Sequence, residues 1–249
     1  MTAYYNEHDP KAAAWLRELI KADLIAPGDV DERSIEDVLP SELAGYTQCH
    51  FFAGIGVWSY ALRCAGWPDS RPVWTGSCPC QPFSAAGKRG GTSDERHLWP
   101  AFHWLISQRR PDVVFGEQVE SKDGRAWLDT VQADMEAASY AFGAVGLCAA
   151  GVGAPHIRPR FYFVGRRAGT NANHGNGHRR NRSLQMGRLR SESENAEVPN
   201  SRRDQWAIEP RPAALAYGVA ARVEQVCGYG NAIVAPVAEE FIRAYLEAA

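Results

Sequence analysis

Cys49-His50-Phe51-Phe52-Ala53-Gly54-Ile55-Gly56 is the stretch on which the fold turns. Cys49–Phe52 is a short, mostly apolar run of buried-strand type, and Ala53-Gly54-Ile55-Gly56 breaks it with two glycines one residue apart. A helix is expected from about Val57 to Ala65. A strand that passes through a Gly-x-Gly turn into a helix brings backbone N–H groups close to a ligand. Such turns also use glycine for steric reasons alone, so both readings stand at this point.

The same alternation continues outward. Val73–Thr75 reads as a second strand, running into Ser77-Cys78-Pro79-Cys80-Gln81-Pro82-Phe83-Ser84. Leu98–Ser107 is expected to be helical, Pro111–Glu117 to be a buried strand ending in a carboxylate, Asp123–Ala138 a helix and Phe161–Val164 a strand. Toward the front, Ala13, Leu16, Leu19 and Ile20 line one face of a helix over Pro10–Lys21 after an Asp9–Pro10 start. At the back, Val237, Phe241 and Leu246 give Val234–Leu246 an apolar face. Strands alternating with helices predict an α/β fold, a mostly parallel sheet with helices on both faces. From about Arg166 to Pro212, Gly, Asn, Arg, Ser and His dominate and periodicity ends. The expected organisation is one domain of 1–165 plus 222–249, with 166–221 a short irregular second lobe.

Composition narrows the class. The 249 residues are 45% hydrophobic, yet no run approaches the roughly 20 apolar residues of a bilayer span. The opening MTAYYNEHDPK has no secretory pattern, and six scattered cysteines without a CxxC pair predict a reducing, cytoplasmic setting and no metal site. Net charge is −2, but between Ala137 and Ser191 there is no acid and there are nine arginines, among them Arg166, Arg167, Arg179, Arg180 and Arg182. This is either a phosphate-facing surface or a solvated basic loop.

Three groups carry candidate chemistry. In Pro79-Cys80-Gln81 proline fixes the backbone before a thiol at a strand end, and a thiolate suits attack on an electron-poor ring carbon. Glu117 ends the next strong strand, where burial would keep its carboxyl partly protonated and able to donate to a ring nitrogen; a structural ion pair or a helix cap is the alternative. In His156-Ile157-Arg158-Pro159-Arg160 the two arginines fall on one side of an extended segment. They either hold a base oxygen and a phosphate or neutralise Glu117.

Together and in this order these pieces resemble the cytosine-C5 DNA methyltransferase family. Phe52-Ala53-Gly54-Ile55-Gly56 looks like its cofactor loop, Gly76–Ser84 followed by Gly87-Lys88 like its nucleophile loop, and Gly116-Glu117-Gln118-Val119 sits where the family has Glu-Asn-Val. His156–Arg160 sits where it has Gln-x-Arg-x-Arg, and Gly228–Ile242 looks like its closing Gly-Asn motif and final helix. The resemblance implies S-adenosylmethionine as cofactor, double-stranded DNA as partner and a flipped cytosine as target, as in restriction-modification enzymes. It assigns Cys80 as nucleophile, with Cys78 as competitor, and Glu117, Arg158 and Arg160 as the other catalytic groups. It assigns Phe52, Ala53, Gly54, Gly56, Pro79 and Asn231 to the cofactor, and Gln81, Ser84 and Lys88 with the arginine stretch to DNA.

In the family two acidic cofactor-binding segments lie between the Gly loop and the Pro-Cys loop, and here only Val57–Ser77 intervenes. Tyr5–Pro10 looks like the ribose-binding segment and Ala26–Val30 like the adenine-binding one, which gives Glu7 the ribose hydroxyls and Asp29 the adenine amine. Two βα units would then precede the usual first strand, a permuted chain order within one sheet; an unrelated N-terminal helix is the alternative. Other departures are Gln118 in place of asparagine, His156 in place of glutamine, and His50 where an acid is frequent. The lobe between the Arg and Gly-Asn motifs is short and offers few apolar residues for reading base edges, so a separate specificity partner is a further expectation.

Overall fold

The computed structural model describes residues 2–79, 98–169 and 232–249. Its strands are β1 (Thr2–Asn6), β2 (Gly28–Asp31), β3 (Tyr46–Phe51), β4 (Val73–Gly76), β5 (Val113–Val119), β6 (Tyr140–Cys148) and β7 (Pro159–Arg167). The helices are α1 (Pro10–Lys21), α2 (Val57–Cys64), α3 (Trp99–Arg109), α4 (Lys122–Ala137) and α5 (Ala235–Ala248). The strands form one sheet in the order β2-β1-β3-β4-β5-β7-β6. The first five run parallel, and β7 pairs antiparallel with both β5 and β6.

Strand side chains alternate between faces, and the two faces are filled differently. Tyr4, Cys49, Phe51, Trp74, Val114 and Phe163 point to a layer made by α3 and α4, whose Trp99, Phe102, Trp127 and Met135 are buried against them. On the other face Val73, Val113, Phe115 and Tyr162 pack on Trp58 and Leu62 of α2 and on Val237 and Ile242 of α5. Beside them Ala3 and Tyr5 pack on Leu16 of α1. Each large side chain buried in this way contributes about 1.5–3 kcal/mol. The second face also holds a polar row. His50 hydrogen-bonds Thr75 at 2.9 Å and stacks on Tyr5 at 4.9 Å, while the Tyr5 hydroxyl reaches Ala26 and Ser59. Burial pushes His50 down to about 3, so it is a neutral partner in this row.

The helices start where the sequence indicates. Asp9 caps α1 by accepting from Lys11 and Ala12 ahead of Pro10, and Ser121 caps α4 through Gly124. The mostly parallel α/β sheet with helices on both faces is observed. Within the acidic front segment, Gly28–Asp31 forms the edge strand β2. One strand departs from expectation. Tyr140–Cys148, where no strand was expected, is the other edge strand; its Ala- and Gly-rich run, largely exposed, has little of the β-branched signature that marks strands. Of the expected second lobe, 170–221 lies outside the described residues.

Candidate active site at the carboxyl ends of the strands

In a parallel α/β sheet the ligand-facing loops leave from the carboxyl ends of the strands. β1 ends at Asn6 and delivers Glu7 to that rim, beside the turn that leaves β3. The Gly54 N–H donates to Glu7 Oε2 at 2.6 Å, and the Asp9 N–H donates to Glu7 Oε1 at 2.9 Å. One carboxylate thereby ties the start of α1 to the glycine turn. The turn needs its glycines: Gly54 and Gly56 have φ of +55° and +80°. A Cβ on Gly56 would press on Leu16, Leu19 and Ile25 of the α1 unit, whereas one on Gly54 would meet only the Phe52 carbonyl oxygen, at 4.0 Å. Phe52 also has positive φ, +51°, a strained geometry costing on the order of 1–3 kcal/mol that tends to mark functional loops. Its ring meets Phe102 edge-on at 6.1 Å. An open glycine turn with a fixed carboxylate beside it fits a cofactor bearing a ribose.

Glu117, on β5, is 7% exposed and forms an ion pair with Arg160 of β7, Nε to Oε1 at 2.8 Å. It stands opposite Tyr162 in the β5–β7 ladder. Burial pushes the acid up to about 7, against the opposing pull of Arg160, Arg158 and the Ser77 hydroxyl. A carboxyl in that condition exchanges a proton near neutral pH, as a general acid must. Arg158, at φ +35°, donates from Nη2 to the Ala232 carbonyl at 2.7 Å and so ties this corner to the lead-in of α5. Pro79 is exposed at the end of the segment that leaves β4. Cys78, the competing nucleophile, is buried and its thiol is driven far above the ordinary range, so it is a poor source of thiolate.

The structure therefore brings Glu7, Phe52, Ala53, Gly54, Gly56, Ser77, Pro79, Glu117, Arg158 and Arg160 to one rim. It does not bring every expected residue there. Asp29 pairs with Tyr4, two residues before the end of β2, and accepts from the Tyr46 hydroxyl at 2.8 Å. The carboxylate at the end of β2 is Asp31, bound by Tyr4 and Arg33 and held below the usual carboxylate range by Arg33. Arg166 and Arg167 close the far end of β7, next to Val113 and Tyr140, and Arg167 pairs with Asp112. Cys80, Gln81, Ser84, Lys88, Arg179, Arg180, Arg182 and Asn231 lie outside the described residues. Sequence reading missed Trp58 and Tyr162 near the acid; the β5–β7 register sets Tyr162 opposite Glu117, and the packing of α2 brings Trp58 to Ser77.

Among the described residues no group of three or more His, Cys, Asp or Glu is placed to hold a metal ion, and no helix is long and apolar enough to cross a membrane.

A family model described as C-5 cytosine-specific DNA methylase matches residues 67–211. The chain is 31% identical over 94 residues to the Type II methyltransferase M.AplI of Arthrospira platensis, covering 37% of this chain and 27% of that protein. It is 28% identical over 162 residues to the Type II methyltransferase M.NaeI of Lentzea aerocolonigenes, 64% of this chain and 32% of that protein. The chain thus spans about a third or less of the length of these relatives. Among solved structures, a Spodoptera frugiperda DNMT2 variant aligns with TM-score 0.44 and 16% identity, covering 68% of this chain and 43% of that one. A putative DNA modification methyltransferase from an Escherichia coli prophage aligns with TM-score 0.40 and 14% identity, covering 67% and 47%. With its family match spanning more than half of its length, the chain belongs to the C-5 cytosine-specific DNA methylase family.

Proposed function

We propose that the protein transfers a methyl group from S-adenosylmethionine to C5 of cytosine in DNA, through a covalent bond between Cys80 and C6 of a base flipped out of the duplex. The observation that carries this reading is Glu117: a buried carboxyl that exchanges its proton near pH 7, paired with Arg160 at the carboxyl ends of the parallel strands. An acid in that state can donate to N3 of cytosine while the Cys80 thiolate adds to C6, which offsets the negative charge gathering on the ring. S-adenosylmethionine, when bound, supplies an electrophilic methyl on a sulfonium centre. Once C5 has taken that methyl, which leaves a neutral thioether behind, N3 returns its proton to Glu117, a base takes the C5 proton, the C6–S bond breaks and the Cys80 thiolate is released. Arg160 holds Glu117 in place and offers further donors to the cytosine carbonyl, and Arg158 supports it from the Ala232 side. Flipping is required because C5 and C6 are inaccessible inside a duplex.

For the cofactor, Glu7 receives the ribose hydroxyls, the Gly54–Gly56 turn admits close approach, and Phe52 and Pro79 border the pocket. The adenine amine is assigned to the acidic strand β2; Asp31, at its end, is better placed than Asp29. The front units β1-α1 and β2 lie beside β3 in the sheet, which supports reading them as the family's second and third units moved ahead of its first. The arginines of 170–231 and the Gln81–Lys88 segment are assigned to DNA, with Asn231 bridging α5 to the cofactor pocket.

The test is transfer of labelled methyl from S-adenosylmethionine to duplex DNA by the wild type and by Cys80→Ser, with transfer RNA as competitor. Label on DNA that the serine variant fails to incorporate supports the assignment. Equal incorporation by both proteins, or preferential labelling of the RNA, overturns it.

A further inference from the structure

Asp31, to which the adenine amine is assigned, already has its oxygens occupied. Its main-chain carbonyl accepts the Glu7 N–H at 3.0 Å, which sets it beside the carboxylate assigned to the ribose. Its carboxylate accepts four donors. They are the Tyr4 hydroxyl at 2.7 Å, the Arg33 main-chain N–H at 2.9 Å, and Nε and Nη2 of the Arg33 guanidinium at 3.0 and 2.7 Å. An ionised carboxylate offers about four lone-pair sites. An incoming amine can therefore be read there only if one donor leaves. Tyr4 is held in the core, 4% exposed, and the main-chain N–H is fixed by the turn. The guanidinium is different: its side chain is 46% exposed, and Glu42 Oε1 lies 3.2 Å from Nη2 as a second carboxylate. Glu42 keeps that oxygen for it, because Oε2 accepts the Leu39 N–H at 2.8 Å. A cavity of about 410 Å³, lined in part by Tyr4, Asp29, Asp31, Arg33, Glu42 and Tyr46, gives the guanidinium room to turn. Its size is that of a ligand pocket.

We propose that Arg33 competes with the adenine amine for Asp31: its guanidinium covers the carboxylate in the free protein and passes to Glu42 when the cofactor binds. The inference rests on the assignment of the amine to Asp31. Arg33 then sets cofactor affinity and selects the base, acting through Asp31 and away from the reacting atoms. A 6-amino purine donates to the carboxylate in place of the guanidinium. A 6-oxo purine carries an acceptor at that position and gains nothing from a freed carboxylate. Glu42 makes the exchange easier, since the displaced cation finds an opposite charge without returning to water alone.

The experiment is calorimetric titration of the full chain with S-adenosylhomocysteine and with its 6-oxo counterpart, S-inosylhomocysteine. Arg33→Ala should bind S-adenosylhomocysteine about three- to fivefold tighter than the wild type, the scale of an exposed ion pair. It should bind S-inosylhomocysteine no tighter. Glu42→Gln, which keeps an acceptor for Leu39, should weaken S-adenosylhomocysteine about threefold and should have no effect once Arg33 is replaced by alanine. Arg33→Lys keeps the charge but cannot form the two-pronged contact. Its affinity should fall between wild type and Arg33→Ala, and it replaces the alanine variant if that one does not fold. An Arg33→Ala or Arg33→Lys affinity no tighter than wild type overturns the competition, as does an equal gain for both ligands. A Glu42→Gln effect that persists without Arg33 overturns it too. If folded Asp31→Ala binds S-adenosylhomocysteine as the wild type does, the assignment of adenine to Asp31 falls instead.

Discussion

The antiparallel ladder of β5 and β7 carries an arginine–carboxylate pair at each end. At the carboxyl end of β5 Arg160 holds Glu117, and at its start Arg167 holds Asp112. The residue types are almost the same and the settings are opposite. Glu117 and Arg160 have side chains 9% and 18% exposed, whereas Asp112 and Arg167 are 46% and 34% exposed. Burial leaves Glu117 at about 7 even with an arginine against it, so its proton is exchangeable where chemistry would need it. The exposed pair is screened by water and contributes little beyond local anchoring. An ion pair on its own therefore marks nothing; desolvation together with the carboxyl ends of the parallel strands marks the site.

Substitutions at the two ends should separate by orders of magnitude. Glu117→Gln removes the exchangeable proton and should lower methyl transfer by about 10²–10⁴-fold, while Asp112→Asn should leave it within about twofold; similar losses from both would erase the distinction. The pH dependence sharpens it. Between the ordinary glutamate value of 4.5 and about 7 the folded state keeps a proton on Glu117 that the unfolded chain has released. The stability this provides is present at low pH and is lost as pH rises through about 7, on the order of 3 kcal/mol in all. Thermal unfolding of the wild type should show this fall and Glu117→Gln should flatten it; an unchanged slope in the variant would place the titration elsewhere. At the same rim Glu7→Ala loses the acceptor for the Gly54 N–H and should weaken S-adenosylmethionine about tenfold with little change in DNA binding. At the far end Arg167→Ala should cost about 0–1 kcal/mol of stability. It should also leave the salt dependence of DNA binding close to that of the wild type; a shallower salt slope would return Arg167 to the phosphate-binding set.

The ladder also explains which parts of the site were legible. Glu117 could be found because a strongly apolar strand ends in a carboxylate, and Arg160 because it follows in a motif of fixed spacing. Arg166 and Arg167 belong to the same basic stretch, but β7 runs antiparallel to β5 and carries them roughly 20–24 Å from Arg160 at about 3.4 Å per residue. A run of like charges gives no sign of that separation. Ser77 and Trp58 escaped for a different reason. Trp58 reads as an ordinary core residue on α2, and only the packing of that helix against the β4–β5 seam brings its N–H to Ser77. At the front, the acidic character of the Tyr5–Pro10 and Ala26–Val30 segments was readable, but the pairing of β2 with β1 shows that Asp31, one residue beyond the second segment, stands at the strand end.

Cytosine methylation dependent on both Cys80 and Glu117 is the central claim, and bisulfite sequencing of DNA from cells making the wild type, Cys80→Ser or Glu117→Gln tests it most directly. Protected cytosines at a recurring sequence in the wild type, absent with either variant, are the expected result. Protection that persists in both variants, or no protected cytosine with a folded and expressed wild type, would contradict it.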